Sequence, residues 1–259
     1  MTGTNHMRLQ PRDLLILTMV ALLRVADREQ IRLACGFGST TRVNARLILL
    51  VRAGLLRRYF LGRGAGRRAL YAVSEKGAAL VGKPLRGPRR RQNETLVADF
   101  YVEHQLAVNE VHCALAFRAI PFEGVRFHRW MDFDETIAPS LRLIPDGYVE
   151  LETPLGIVAA FLEVDLGTES LAVWKEKVRQ YVQLAVTGEH AKRFGQARFR
   201  VLVVAHSPRR LRSIQRTVAA VTPKIFWFAT LDDARQRFFS PVWLRPTDET
   251  PRPFIEVTP

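Results

Sequence analysis

The chain has 259 residues, 47% of them hydrophobic and 25% charged, a balance that excludes a disordered or low-complexity polymer and is ample for a buried core. Its net charge of +14 is unevenly placed: residues 1–94 hold 19 of the 39 Lys/Arg and 5 of the 25 Asp/Glu, whereas the remaining 165 residues hold 20 of each. A positive field concentrated in the first third predicts a polyanionic partner, with nucleic acid first in line.

Cys35 and Cys113 are isolated, with neither zinc-ligand spacing nor an evident mate, which fits a reducing, cytoplasmic setting. The apolar run from Leu14 to Leu23 is flanked by arginines and is much shorter than the ~20 residues a spanning helix needs. It therefore reads as a core helix, and no membrane partner is expected.

In chain order, residues 11–34 predict two helices. Pro11 suits a first turn, Leu14, Leu17, Val20 and Ala21 share a face, and Asp27 caps the second helix. Ser39 or Thr40 then caps a third helix reaching Arg52, with Val43, Leu47, Leu50 and Val51 inward and Arg42, Asn44 and Arg46 along its other side. Two strands, 55–61 and 69–73, flank a Gly- and Arg-rich tip. This order predicts a winged helix-turn-helix over residues 1–81. Arg42, Asn44 and Arg46 would face bases or backbone in a major groove, and Arg63, Arg67 and Arg68 would grip phosphate. Residues 82–94, rich in Pro, Gly and Arg, read as a linker whose Arg89, Arg90 and Arg91 touch DNA backbone.

A second domain is expected over residues 95–240, followed by an irregular tail at 241–259. A helix over 96–119 carries a stripe of Val97, Phe100, His104, Ala107, Val111 and Leu115, with His104 read as a core histidine. Strands are predicted at 125–130, 143–149, 156–164, 199–205 and 225–230, and helices at 170–186 and 208–221. That alternation predicts an α/β or α+β domain with a mixed sheet flanked by helices.

The chemistry gathers between Pro145 and Tyr181. Hydrolysis of a phosphodiester at neutral pH is served by a divalent metal that neutralises the phosphate and lowers the pKa of an attacking water. Mg²⁺ (or Mn²⁺) takes hard oxygen ligands. Asp146 follows a proline at the mouth of a strand, and Glu163 and Asp165 are two apart in an apolar strand, so both project from one face. Paired strands would let Asp146, Glu163 and Asp165 converge on one ion. Buried acids demand a cation, and Lys177, which shares a helix face with Trp174 and Tyr181, supplies one. Lys177 would position water or stabilise developing charge, with Tyr181 on a phosphate oxygen, or else Lys177 is a plain salt-bridge partner.

Pro145-Asp146, Glu163-Val164-Asp165 and the Lys177–Tyr181 pair resemble the PD-(D/E)xK nuclease superfamily. With Gly147, Leu166-Gly167-Thr168, His104–Asn109 and the winged helix ahead, the chain is more closely similar to the replication-relaxation family, over most of residues 10–205. The resemblance implies a restriction-endonuclease-like fold after the winged helix, and a kinship with plasmid mobilisation relaxases that nick DNA without a catalytic tyrosine. It implies DNA and replication or mobilisation proteins as partners, and Glu110 as an upstream acid completing the site. One departure stands out: Asp165 occupies the place of the superfamily's usual lysine, and Lys177, on the next helix, matches relatives that supply the lysine from there.

No pair of histidines separated by one apolar residue is present, which disfavours tyrosine- and histidine-based nicking, and no Gly-rich loop ends in Lys-Ser/Thr as an ATPase would require. Two readings follow: a metal-dependent endonuclease or nickase targeted to plasmid or other mobile DNA, homodimeric if both strands are cut, or an inactive replication or transcription regulator that uses the nuclease-like fold as a scaffold.

Overall fold

The computed structural model describes residues 8–63, 66–88 and 90–255. They form a mixed α+β protein that divides into two compact units, Met1–Cys113 and Ala114–Pro259. The division lies beyond the expected linker, for a physical reason: residues 82–94 pack as part of the first unit. Tyr59 Oη donates to the Pro88 carbonyl at 2.9 Å, Arg58 Nε donates to Asn93 Oδ1 at 2.9 Å, and Gly87 fits against the Arg24 carbonyl where no Cβ has room.

In the first unit, α1 (Pro11–Leu23), α2 (Arg28–Ala34) and α3 (Thr40–Arg52) precede a hairpin of β2 (Leu56–Leu61) and β3 (Arg68–Val73). Asp27 caps α2 by accepting from the Gln30 amide at 2.8 Å, as its position before an apolar-periodic run dictates. Ile16, Leu17, Val20, Val43, Leu47 and Leu50 fill the core between the helices. Two short strands, β1 (Ala26–Asp27) and β4 (Thr95–Leu96), complete a four-stranded mixed sheet in the order β1-β3-β2-β4. The short helix α4 (Glu75–Leu80) follows the hairpin, capped by Ser74.

The expected helix at 96–119 is α5 (Phe100–Ala116), and its first turns belong to the first unit. Asn109 Nδ2 donates to the carbonyls of Leu23 and Val25 at 3.0 and 2.7 Å, and Val102 and Leu106 pack with Tyr59 and Leu70. Val97 and Phe100 are exposed, so the buried stripe starts at Val102 instead, and His104 is only half-buried.

The second unit is a seven-stranded mixed sheet in the order β11-β10-β9-β8-β7-β6-β5. Its strands are β5 (Arg126–Met131), β6 (Gly147–Thr153), β7 (Gly156–Asp165), β8 (Arg200–Ala205), β9 (Phe226–Thr230), β10 (Trp243–Arg245) and β11 (Asp248–Arg252). The last two overturn the expectation of an irregular tail: buried Trp243 packs on Phe238 and Phe254, which anchors the edge hairpin. β6, β7 and β5 run antiparallel, and β7, β8 and β9 parallel, with α6 (Leu171–Thr187) and α8 (Pro208–Ala219) as the crossovers. Short helices α7 (Glu189–Phe194) and α9 (Leu231–Arg237) fill the remaining connections.

Being central, β7 reads as a continuous apolar run, Val158 to Val164, broken by one acid. Its residues Ala159 and Phe161 join Trp174, Val178 and Tyr181 of α6 and Leu211 and Ile214 of α8 in one core cluster. Glu163 and Asp165 have the same parity and so project from the same face of the sheet, the one α6 and α8 cover. Among the described residues no helix is long and apolar enough to cross a membrane.

Gly147 opens β6 immediately after Asp146, and a Cβ there would overlap the Trp130 ring of β5. Gly147→Ala is expected to lower the unfolding free energy by about 1–3 kcal/mol, the range for overpacking, as measured by urea titration.

Candidate functional site

The pairing of β6 with β7 assembles the site. Gly147 stands opposite Leu162, and Asp146, one residue ahead, donates its amide to the Leu162 carbonyl at 3.0 Å. Its Oδ2 accepts from the Val164 amide at 2.7 Å. The Asp146 carboxylate therefore lies beside β7 at the level of Glu163, near enough to raise the Glu163 pKa.

Glu163 is 1% exposed. Its Oε1 accepts from the Tyr181 hydroxyl at 2.6 Å and its Oε2 from Lys177 Nζ at 2.9 Å. Lys177 also reaches Glu169 Oε1 at 2.8 Å. Three carboxyl groups, of Asp146, Glu163 and Glu169, thus gather with one ammonium. Burial raises the Glu163 pKa to about 7, with Asp146 adding to it, while Lys177 and Tyr181 pull the other way. Burial also opposes the charge on Lys177, but Glu163 and Glu169 outweigh it and hold the lysine above its ordinary pKa. Tyr181 is fully buried and its hydroxyl is held protonated, so it braces Glu163 and is not exposed to a ligand.

Asp165, expected among the metal ligands, is differently employed. Oδ1 accepts from the Gly167 amide and Arg210 Nε, both at 2.7 Å, and Oδ2 from Trp174 Nε1 at 2.7 Å and Arg210 Nη2 at 2.8 Å. Burial would raise this carboxyl, but those donors prevail and lower it. With both oxygens filled, Asp165 ties β7 to α6 and α8. Gly167 makes the tight return possible: its φ is +93°, and a Cβ there would stand 2.8 Å from the His206 ring.

Glu110 lies on α5 in the first unit, with its Oε1 3.8 Å from Arg68. Two participants had escaped the sequence reading. Glu169 belongs to no motif singled out in the sequence, yet its Oε1 accepts from Lys177 and its Oε2 is buried with no hydrogen-bond partner among the described residues. Arg210 was hidden in a run of arginines. The signal that would have found it is that a second buried acid on β7 needs a second cation.

The residues expected on DNA separate into two groups. Arg42 is exposed on α3 and Asn44 half-exposed beside it, Arg63 and Arg91 are exposed, and Arg67 lies over the Phe60 ring at 4.5 Å. Arg46 is bound to the fully buried Asp13, Arg68 to Asp27, and Arg90 to Asp99. These three are ion-paired to acids of the first unit, Arg46 half-buried and Arg68 and Arg90 at the surface, and Arg89 lies outside the described residues.

Mg²⁺ coordinates by one or two carboxylates completed by water and phosphate. Asp146 and Glu163 offer two hard-oxygen donors side by side, and the unpartnered Glu169 oxygen marks a local excess of negative charge that a cation would relieve. The donor set fits such an ion with an open coordination sphere. It does not fit a closed protein cage, since no group of three or more His, Cys, Asp or Glu among the described residues is arranged to hold a metal.

Two outcomes test this electrostatic picture. Because the folded-state pKa of Glu163 lies above its ordinary 4.5, the folded chain takes up a proton between the two values. Its stabilising contribution is full below 4.5 and is lost as pH rises through about 7. Across that range the stability of the native chain relative to Glu163→Gln should fall by about 3 kcal/mol, read by urea unfolding from pH 4.5 to 8. Arg210→Met, which strands the buried Asp165 charge, is expected to cost about 3–5 kcal/mol by the same measurement.

A comparison with curated proteins gave no match. The family model described as replication-relaxation matches residues 17–198, a span that takes in the second half of α1, α2, α3, the hairpin, α5 and the whole Asp146–Glu163–Lys177 cluster. Over that match the chain belongs to the replication-relaxation family.

Proposed function

We propose that the protein binds DNA through its first unit and cleaves it, most simply by nicking, with a PD-(D/E)xK-like site in its second. The observation that carries this reading is the convergence of Asp146 and Glu163, with Lys177 2.9 Å from the Glu163 carboxylate, at the end of β7. Membership of the replication-relaxation family supports a role in plasmid replication or mobilisation.

In this reading Asp146 and Glu163 hold Mg²⁺ or Mn²⁺. When bound, the ion supplies charge neutralisation at the scissile phosphate and a water of lowered pKa. The chain's own groups do the rest. The Val164 amide fixes the Asp146 carboxylate, and Tyr181 fixes Glu163. Lys177, held by two carboxylates, places a positive charge where a phosphate oxygen gains negative charge. The Asp165–Arg210 pair locks β7 against both helices.

For the first unit, the order α1, α2, α3, hairpin supports a winged helix-turn-helix. Arg42 and Asn44 on α3 would enter the major groove, with Arg63 and Arg67 on adjacent phosphate. A second reading, a DNA-binding regulator that uses the second unit as a scaffold, is favoured by one feature: both oxygens of Glu163 already accept hydrogen bonds from the chain.

Supercoiled plasmid incubated with Mg²⁺ or Mn²⁺ separates the two. Metal-dependent nicking that vanishes in Asp146→Ala and falls at least tenfold in Lys177→Met supports the enzyme, whereas no product on cognate plasmid supports the scaffold. For the first unit, Arg63→Ala with Arg67→Ala should lower the slope of log affinity against log salt by about 2, at ~0.9 per phosphate contact. An unchanged slope would remove the hairpin from the interface.

A further inference from the structure

The zero balance of the last 165 residues conceals a polarised segment. Between residues 190 and 231 the chain has nine Lys/Arg and no Asp or Glu. The fold gathers much of this charge along one helix. Leu211, Ile214 and Val218 of α8 are buried against the sheet, which turns Arg209, Arg212 and Arg216 outward. All three are exposed, and none has an acid within ion-pair distance among the described residues. The contrast with Arg210 is direct: the one arginine of α8 that faces inward is paired to Asp165, and the outward ones are not.

Their position follows from topology. α8 leaves the end of β8, whose Ala205 stands opposite Asp165, and returns to the start of β9, whose Phe226 stands opposite Val201. The helix therefore runs from the end of the sheet that bears the carboxylate cluster to the opposite end. Arg209 adjoins the residue bound to Asp165, and Arg216 lies in the last turn of α8, ahead of the loop that carries Lys224. At that far end Arg198, Lys224 and Arg245 line a cleft of ≈ 800 Å³, again without acid partners among the described residues. With a rise of about 1.5 Å per residue, Arg209 to Arg216 span about 10 Å. That length matches three steps between successive phosphates of one strand, at about 3.4 Å each along a duplex axis.

We infer that α8 is a second nucleic-acid-binding surface, on which the backbone of one DNA strand lies as it leads to the Asp146–Glu163 site. The inference rests on the proposed action on DNA and adds the path the substrate takes across the second unit. Three exposed guanidinium groups in one row, none with an acid partner among the described residues and two of them bonded only to carbonyls of their own helix, provide the counter-charge for phosphates that the acids themselves would repel.

The test uses the full chain carrying Arg209→Ser, Arg212→Ser and Arg216→Ser together, with thermal melting to show that folding is kept. Fluorescence anisotropy with labelled single-stranded and duplex oligonucleotides gives affinity across a salt series. The triple variant is expected to lower the salt slope by about 2 on single strands or about 3 on duplex, at ~0.7 and ~0.9 per phosphate, and the form on which that full loss is seen is the form bound. A charge-matched control, Arg118→Ser, Arg126→Ser and Arg142→Ser, should leave the slope as in the native chain. If the α8 variant keeps the native slope while the Arg63→Ala, Arg67→Ala variant loses it, DNA binding stands and the α8 surface is overturned. An equal loss in the control also overturns it, as a net-charge effect. Absence of DNA binding by the native chain overturns this inference and the proposed function together.

Discussion

Two acids buried on one face of one strand govern the second unit. Glu163 and Asp165 both project from β7 toward the layer of α6 and α8, where water cannot solvate them. A buried carboxylate without a partner costs several kcal/mol, so each must be met by a cation or by several donors. Lys177 descends from α6 to the first and Arg210 from α8 to the second. These contacts set how the helices pass over the sheet. The loop between β7 and α6 is drawn in by the same requirement, since the Gly167 amide and the Trp174 indole both donate to Asp165.

The two acids nevertheless differ in what remains of their chemistry. Asp165 meets a bidentate guanidinium, and its pKa is lowered, the condition of a structural ion pair. Glu163 meets an ammonium already shared with Glu169 and lies near Asp146, and its pKa is raised toward neutrality. A carboxyl poised near the operating pH and crowded by like charge is the kind of group found where a site handles protons or cations. Burial opposes the charge on both carboxyls, and it prevails at Glu163 whereas the donors around Asp165 outweigh it.

Part of this was legible in the residues alone. The acid-apolar-acid pattern within an apolar strand announced buried charge, and the spacing of Trp174, Lys177 and Tyr181 placed the lysine on the inward face of α6. The three helices and hairpin of the first unit were readable from caps and periodicity, because Asp27 and Ser39 are local signals that stand at the N-cap positions of α2 and α3, although only Asp27 makes the side-chain capping bond. Side-chain partners reached across the fold were not readable. Arg46 and Arg68 sit among other basic residues, and only the packing of α3 on α1 and of β3 on β1 shows that Asp13 and Asp27 hold them.

Composition and period determined that this is a mixed α/β chain with a basic first third and a buried acid pair followed by a lysine helix, since those properties depend on neighbours a few residues apart. Tertiary structure decided which acid is spent and which is left. The choice between Lys177 and Arg210 as partner of Asp165 depends on strand register and on the parallel order β7-β8-β9, which brings the first turn of α8 to the end of β7. It also decided that the 82–94 segment and the start of α5 belong with the first unit, through hydrogen bonds between residues some 30 to 86 positions apart. Such contacts follow from the closure of the sheet and the docking of its helices, and a short window of sequence carries no trace of them.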